Sequence, residues 1–199
     1  MVFPIMQQKF DELIESHPTL HRFEDILASV QALMLYLSIR LFDGDTQQRR
    51  LAESYVHTLG QWARQLWKTA PSQTPGSLSP WQAWVFAESV RRSILVACLI
   101  HSAIKRGYSE HTLFVEALPF DLHTTKWDAQ STMDWELIDP QPRSSMVSYR
   151  EYVERFSDGQ AKSVKEFETL LLIACYGKND FEGALQSGSF PEFEGMALR

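Results

Sequence analysis

The sequence predicts an all-α fold: a single-domain helical array built on three long helices, at about 22–42, 46–68 and 80–106, with shorter helices toward the C-terminus. Three observations carry this expectation. Apolar residues recur at helical spacing across each of the three stretches. Glycine, proline and small polar residues punctuate their ends. No two alternating segments are joined by an Asn-Gly or Asp-Gly hairpin turn, since Asp43-Gly44 and Asp158-Gly159 flank helical patterns. No solenoid-length period repeats either.

Taken in order, residues 1–20 form an N-terminal segment, 21–186 the helical domain, and 187–199 a flexible tail. In the first long helix Ile26, Val30, Leu33, Leu37 and Leu41 form a helical stripe, and Leu27, Met34, Leu35 and Ile39 spread the apolar surface almost all round. Gly44 is expected to close that helix in a left-handed conformation, and Asp45 or Thr46 to cap the next. The second stripe is Leu51, Tyr55, Leu59, Trp62 and Leu66, and the short turn between the two helices predicts antiparallel packing. Residues 70–80 read as a loop. It ends in a capping box, with Ser79 as N-cap, Pro80 at the first helical position and Gln82 reaching back. The third helix stops at Gly107, with Lys105 and Arg106 in its last turn, where the helix dipole favours positive charge. Its residues Val90, Ile94, Cys98 and Ile104 are expected to be buried against the 22–42 helix. Beyond it, Leu113–Leu118 reads as a short helix, Pro119–Thr125 as a loop and Trp127–Glu136 as a further short helix. Ser148–Phe156 and Val164–Tyr176 are helical by period, with Ser163 a candidate cap.

The 199 residues hold 44% hydrophobic and 22% charged side chains, ordinary values for a folded protein, with too many aromatics for a disordered chain. The net charge of −6 has the wrong sign for a dedicated phosphate-backbone binder. The only cysteines, Cys98 and Cys175, lie in apolar runs and lack C-x-x-C spacing, so they read as buried thiols of a reducing compartment rather than zinc ligands. The start of the chain lacks the basic and apolar regions of a signal peptide. The uncharged run Ile26–Ile39 falls short of the ~20 apolar residues that a membrane span needs. The expectation is a soluble, intracellular protein of the nucleus or cytoplasm.

Chemistry is sparse. The nucleotide-binding glycine motifs, the G-x-S-x-G elbow and the H-E-x-x-H zinc motif are all missing. The DGD triplet at 43–45 lacks the spaced ligands of a calcium loop. Pro18 spoils a shared helical face for His17 and His21; His57 pairs along a helix with Glu53; His101 reads as a core or boundary histidine. Asp121, His123, Trp127 and Asp128 form the one cluster to inspect for catalysis, though no nucleophile is marked out beside it. Glu88 can pair with Arg91 or Arg92 on the third helix, as a structural ion pair or as an anion- or partner-binding edge.

Two stretches, SVQALMLYLSIRLFDGD (29–45) and LSPWQAWVFAESVRRSILVACLI (78–100), resemble the C-terminal regulatory region of fungal zinc-binuclear-cluster (Zn2Cys6) transcription factors. The segment WDAQSTMDWE (127–136), opened and closed by tryptophan, fits the same pattern. The resemblance implies an all-helical regulatory domain that controls transcription, often of metabolic or secondary-metabolite genes. That family holds DNA through a six-cysteine cluster and a basic arm. With two cysteines and no such arm, this sequence carries over no metal-binding or DNA-contact residue. It reads as the regulatory part of such a factor or as a stand-alone relative.

The expected function is therefore a transcription-regulatory or protein-interaction module, not an enzyme, with no cofactor and no direct DNA or membrane binding. Its partners would be proteins of the transcription machinery or a full-length factor, with a homodimer left open. The alternatives are a helical sensor of a small-molecule effector, its pocket lined by Trp81, Trp84, Phe86 and Trp127, and an enzyme recruited from the scaffold. Candidate ligand or partner contacts are Trp81, Trp84, Glu88, Arg91, Arg92 and Trp127, with no catalytic, metal or DNA-binding residue.

Overall fold

Each long apolar stripe becomes a helix in the computed structural model, which describes residues 2–20, 22–70, 78–105, 115–122, 124–138, 145–159 and 166–187. In chain order the helices are α1 (Val2–Ser16), α2 (Phe23–Phe42), α3 (Thr46–Thr69), α4 (Pro80–Lys105), α5 (Thr124–Trp127), α6 (Thr132–Leu137), α7 (Tyr149–Ser157), α8 (Glu166–Tyr176) and α9 (Lys178–Ser187). Two short strands, β1 (Pro119–Asp121) and β2 (Met146–Ser148), interrupt them. The fold is all-α apart from this ribbon. Gly107, His21, His123, Ser163 and the 187–199 tail beyond Ser187 lie outside the described residues.

The chain gathers into two compact units, Met1–Gly76 with Arg92–Ile104, and Ser77–Arg91 with Lys105–Arg199. The sequence reads as one helical domain over 21–186, and the units divide that stretch within α4.

In the first unit α2 and α3 pack together through Ile26, Val30, Leu33 and Leu37 on one side and Ala52, Val56, Leu59, Ala63 and Leu66 on the other, all buried. The α3 stripe is rotated from the predicted one. Leu51 and Tyr55 lie on its shoulder, half-buried, because the small Ala52 and Ala63 let the helices approach along the adjoining face. By length and composition α2 would pass for a membrane span, but it carries the fully buried Arg40. One stripe of its apolar surface is buried, whereas Leu35, Ile39 and Phe42 are exposed, so the helix is not covered all round as its composition suggests.

Asp45 caps α3 by accepting from the Gln48 backbone N–H at 2.9 Å. Gly44 departs from expectation. It is not left-handed, and the positive-φ glycines among the described residues are Gly159 and Gly177. Instead, a Cβ on Gly44 would lie 2.2 Å from the Arg40 carbonyl oxygen, so the tight corner requires the missing side chain for space. The 1–20 segment is ordered as α1 followed by a 3-10 turn, with Met6 and Phe10 buried.

The 3-10 turn sets His17 into the core of this unit. Its Nδ1 lies 2.7 Å from Ser29 Oγ and its ring stacks on Trp62 at 3.5 Å. Burial lowers its pKa below the ordinary histidine value. The unfolded chain therefore takes up a proton before the folded one does, and stability is lost as pH falls below about 6.5 toward the depressed folded value. Urea midpoints measured from about pH 7.5 down to about pH 5 should fall more steeply for the wild type than for His17→Phe, which keeps a flat ring against Trp62.

The second half of α4 packs into the same unit. Gln31 Nε2 donates to Ser93 Oγ at 3.0 Å, and His101 closes over Gly60, where a Cβ would lie 3.2 Å from its ring. Val90, Ile94 and Cys98 are buried as expected, Ile94 and Cys98 in the unit that contains α2 and Val90 in the other, while Ile104 is only half-buried, one residue from the end of α4.

In the second unit the start of α4 has the predicted capping box. Ser79 N–H donates to Gln82 Oε1 at 3.0 Å, and Gln82 N–H donates to Ser79 Oγ at 3.3 Å. The segment expected as a loop at 119–125 contains β1 and the start of α5. β1 pairs antiparallel with β2, Phe120 opposite Val147, and the bonds continue outward through Leu122 N–H to Ser145 O at 2.9 Å and Tyr149 N–H to Leu118 O at 3.1 Å. The single helix expected over 127–136 is broken into α5 and α6, because Ser131 accepts from the Asp134 N–H and starts a new helix. Ser148 does the same for α7. Phe120, Tyr152, Val153, Leu171 and Phe181 form the core of this unit, and Tyr149 Oη donates to the Leu171 carbonyl at 2.8 Å.

Candidate functional site

The polar and aromatic residues singled out in the sequence converge at the first half of α4. The cap at Ser79 sets the register of the helix, and steps of three, four and three residues put Trp81, Trp84, Glu88 and Arg91 along one face. Against this face lie β1, which brings Asp121, and α5 and α6, which bring Lys126, Trp127 and Trp135.

Glu88 is fully buried, and both of its carboxylate oxygens are engaged. One accepts from Arg91 Nε at 2.9 Å, and the other from the Asp121 backbone N–H at 3.1 Å. Asp121, itself buried, accepts from Trp84 Nε1 at 3.0 Å. A helix carboxylate thus holds the strand backbone while a strand carboxylate holds the helix indole. Such reciprocal charge-assisted bonds fix β1 on α4.

Trp84 is also the centre of an aromatic group. Its ring lies edge-on to Trp127 at 6.3 Å and tilted to Trp135 at 6.4 Å, distances at which the ring quadrupoles attract. The Lys126 ammonium, buried, sits 5.6 Å from the Trp135 ring centre, a cation–π contact. Trp127 is 40% exposed and gives the node its open side. The indole N–H groups of Trp81 and Trp135 are buried with no hydrogen-bond partner.

Of the predicted contacts, then, Trp84, Glu88, Arg91 and Trp127 come together, with Trp81 one helical turn before Trp84. Arg92 is the first residue of α4 assigned to the other unit, while Arg91 donates to Glu88. Sequence reasoning missed Trp135 and Lys126 as members of the group; the tryptophan bracketing of 127–136 was the available signal.

The cluster inspected for catalysis is divided among other tasks. Asp121 is an acceptor inside the node, Asp128 is exposed on the surface, and His123 lies outside the described residues. Burial pushes the Cys98 and Cys175 thiols up to about 12, which leaves them protonated and poor nucleophiles. Among the described residues no group of histidine, cysteine and carboxylate side chains is placed to hold a metal ion. The acidic residues of the DGD triplet cap helices instead: Asp43 ends α2 and Asp45 begins α3.

Trp84→Phe keeps most of the ring contacts but removes one donor from the buried Asp121. It should cost about 1–3 kcal/mol, read from chemical denaturation, with the quantum yield of the remaining tryptophans altered in the folded state.

No protein-family model matches the chain, and no solved structure matches it. A curated protein described as "Transcription factor gsfR2", from Penicillium aethiopicum, is 29% identical to it over 193 residues, covering 89% of this chain and 46% of that protein. The chain spans about half the length of the relative it matches, and it is related to a region of a fungal transcription factor.

Proposed function

We propose that the chain is a transcription-regulatory module that works through protein contacts and does not itself bind DNA. The observation that carries this reading is the similarity to a fungal transcription factor along 89% of the chain. The charge distribution supports it. Acidic residues outnumber basic ones by 25 to 19, and the adjacent basic pairs Arg49-Arg50 and Arg91-Arg92 lie on separate helices rather than on one element shaped for a groove. On this reading the exposed edge of the tryptophan node, with Trp127 at its rim, is the contact surface, and the Glu88–Asp121 bonds hold that edge in shape.

The test is a reporter assay with the chain fused to an unrelated DNA-binding domain, paired with anisotropy on promoter and scrambled duplexes. Reporter output should change on fusion, and Trp127→Ala, at an exposed position, should abolish the change while leaving the circular dichroism intact. Duplex binding should be weak, sequence-independent and lost as salt rises from about 50 to 200 mM. An inert fusion, or nanomolar sequence-selective binding by the chain alone, overturns the proposal.

A second reading is an effector sensor. It is favoured by the two buried indole N–H groups of Trp81 and Trp135, which a ligand carbonyl or carboxylate would satisfy. Copurification of a small molecule that quenches tryptophan fluorescence, and whose effect Trp81→Phe removes, would select it.

A further inference from the structure

Among the described residues of the first unit, one buried charge has no ion-pair partner. Arg40, near the end of α2, is completely buried. Its guanidinium donates through Nη1 to Gln48 Oε1 and through Nη2 to Gln7 Oε1, the latter at 2.7 Å, and it lies 5.1 Å from the Phe10 ring centre. Its Nε has no partner, and among the described residues no carboxylate lies within ion-pair distance of it. Asp11, whose charge also reaches Arg40, is bound instead to the Gln7 amide, accepting from Nε2 at 2.7 Å. Buried arginines are ordinarily matched by an anion, because two neutral acceptors replace only part of the lost hydration.

Both glutamines that hold Arg40 also line a cleft of about 550 Å³ between α1 and α3. Gln47, Arg50 and Ser54 complete its polar lining, and no carboxylate contributes to it. The carbonyl end of Gln48 is committed to the guanidinium, so its amide N–H₂ end is turned away from that charge and is free to donate. Arg50 adds a full positive charge at the wall. The cleft therefore offers donors and a positive charge at its wall, and two of its lining side chains, Gln7 and Gln48, connect it to the Arg40 guanidinium.

We infer that the cleft between α1 and α3 is a binding site for a small anion, a carboxylate or phosphate group, held by Gln48 and Arg50 and countering the buried charge of Arg40. A phosphate or carboxylate group fits the fork of Arg50 and accepts from the Gln48 amide at the same time. The volume leaves room for the body of a small metabolite attached to that group. The site lies in a different unit from the tryptophan node and does not depend on the function proposed for it.

Calorimetric titration of the full chain with inorganic phosphate and, separately, with succinate tests this, at constant ionic strength set by chloride. Saturable binding of either anion across the millimolar range is expected, and the anion that binds names the headgroup class; equal binding by both leaves the shared chemistry as the determinant. Arg50→Gln, at an exposed position, should weaken binding at least about tenfold. Arg40→Met removes the buried charge and should abolish binding. Should that variant not fold, Arg50→Gln decides alone. Absence of saturable binding to both anions, or an affinity unchanged in Arg50→Gln, overturns the inference.

Discussion

Replacing Val90 with aspartate is expected to lower the thermal midpoint by on the order of 10 °C. Val90 is 4% exposed, in the part of α4 that belongs to the second unit. A carboxylate at that position would lose its hydration, at a cost of about 3–5 kcal/mol for a buried charge left unpaired. Val90→Ala removes only two methyl groups and should cost much less, about 1–2 kcal/mol. Differential scanning calorimetry of the three proteins gives the ordering. A midpoint for Val90→Asp within a degree or so of the wild type would mean that the buried face of α4 lies elsewhere.

The second large effect is expected at Glu88. Glu88→Ala strands the Asp121 backbone N–H and leaves Arg91 without the acceptor it has at 2.9 Å. Removing one member of a buried charged pair costs about 3–5 kcal/mol. The reverse truncation, Arg91→Met, should be milder, since the Arg91 side chain is 22% exposed and Glu88 keeps its backbone donor. Glu88→Gln should fall between, because its carbonyl oxygen still accepts from Asp121. Urea denaturation gives this order if Glu88 is the structural tie between α4 and β1. Loss of ligand or partner binding by Glu88→Gln at undiminished stability would instead make it a recognition residue.

How much of this was legible beforehand depended on the length of the signal. α2, α3 and α4 carry their apolar stripes over five or more turns, and their caps at Asp45 and Ser79 form the predicted bonds. The β1–β2 ribbon was not legible. A three-residue strand is too short to show alternation, and its partner comes 25 residues later, after two helices (146 − 121). In α1, Met6 and Phe10 mark a buried face, but Pro4 near the start and a polar middle concealed it. The corner at Gly44 shows a different failure. A glycine after a helix suggests a left-handed cap, whereas this one is required by the proximity of the Arg40 carbonyl, which only the tertiary structure discloses.

The candidate site was half legible for a similar reason. Helical spacing paired Glu88 with Arg91 or Arg92, and Trp81, Trp84 and Trp127 entered separately as the lining of a candidate pocket. What completes the node comes from β1, α5 and α6, which reach α4 through long-range contacts that leave no periodic trace. Asp121 was noticed, but as a catalytic carboxylate. Its side chain is instead occupied as the acceptor of an indole proton.

The distribution of sulfur equips the molecule with two internal clocks. Cys98 belongs to one compact unit and Cys175 to the other, and these are the only thiols in the chain. Both are held protonated by burial, Cys98 buried and Cys175 half-buried, so alkylation of either one is slowed in the closed unit and speeds up when its surroundings open. Pulse labelling with an alkylating reagent, read by peptide mass spectrometry, would therefore time the breathing of each unit separately in a single tube, without introduced probes. Divergent labelling rates would reveal units that unfold independently, and matched rates under increasing denaturant would reveal one cooperative transition.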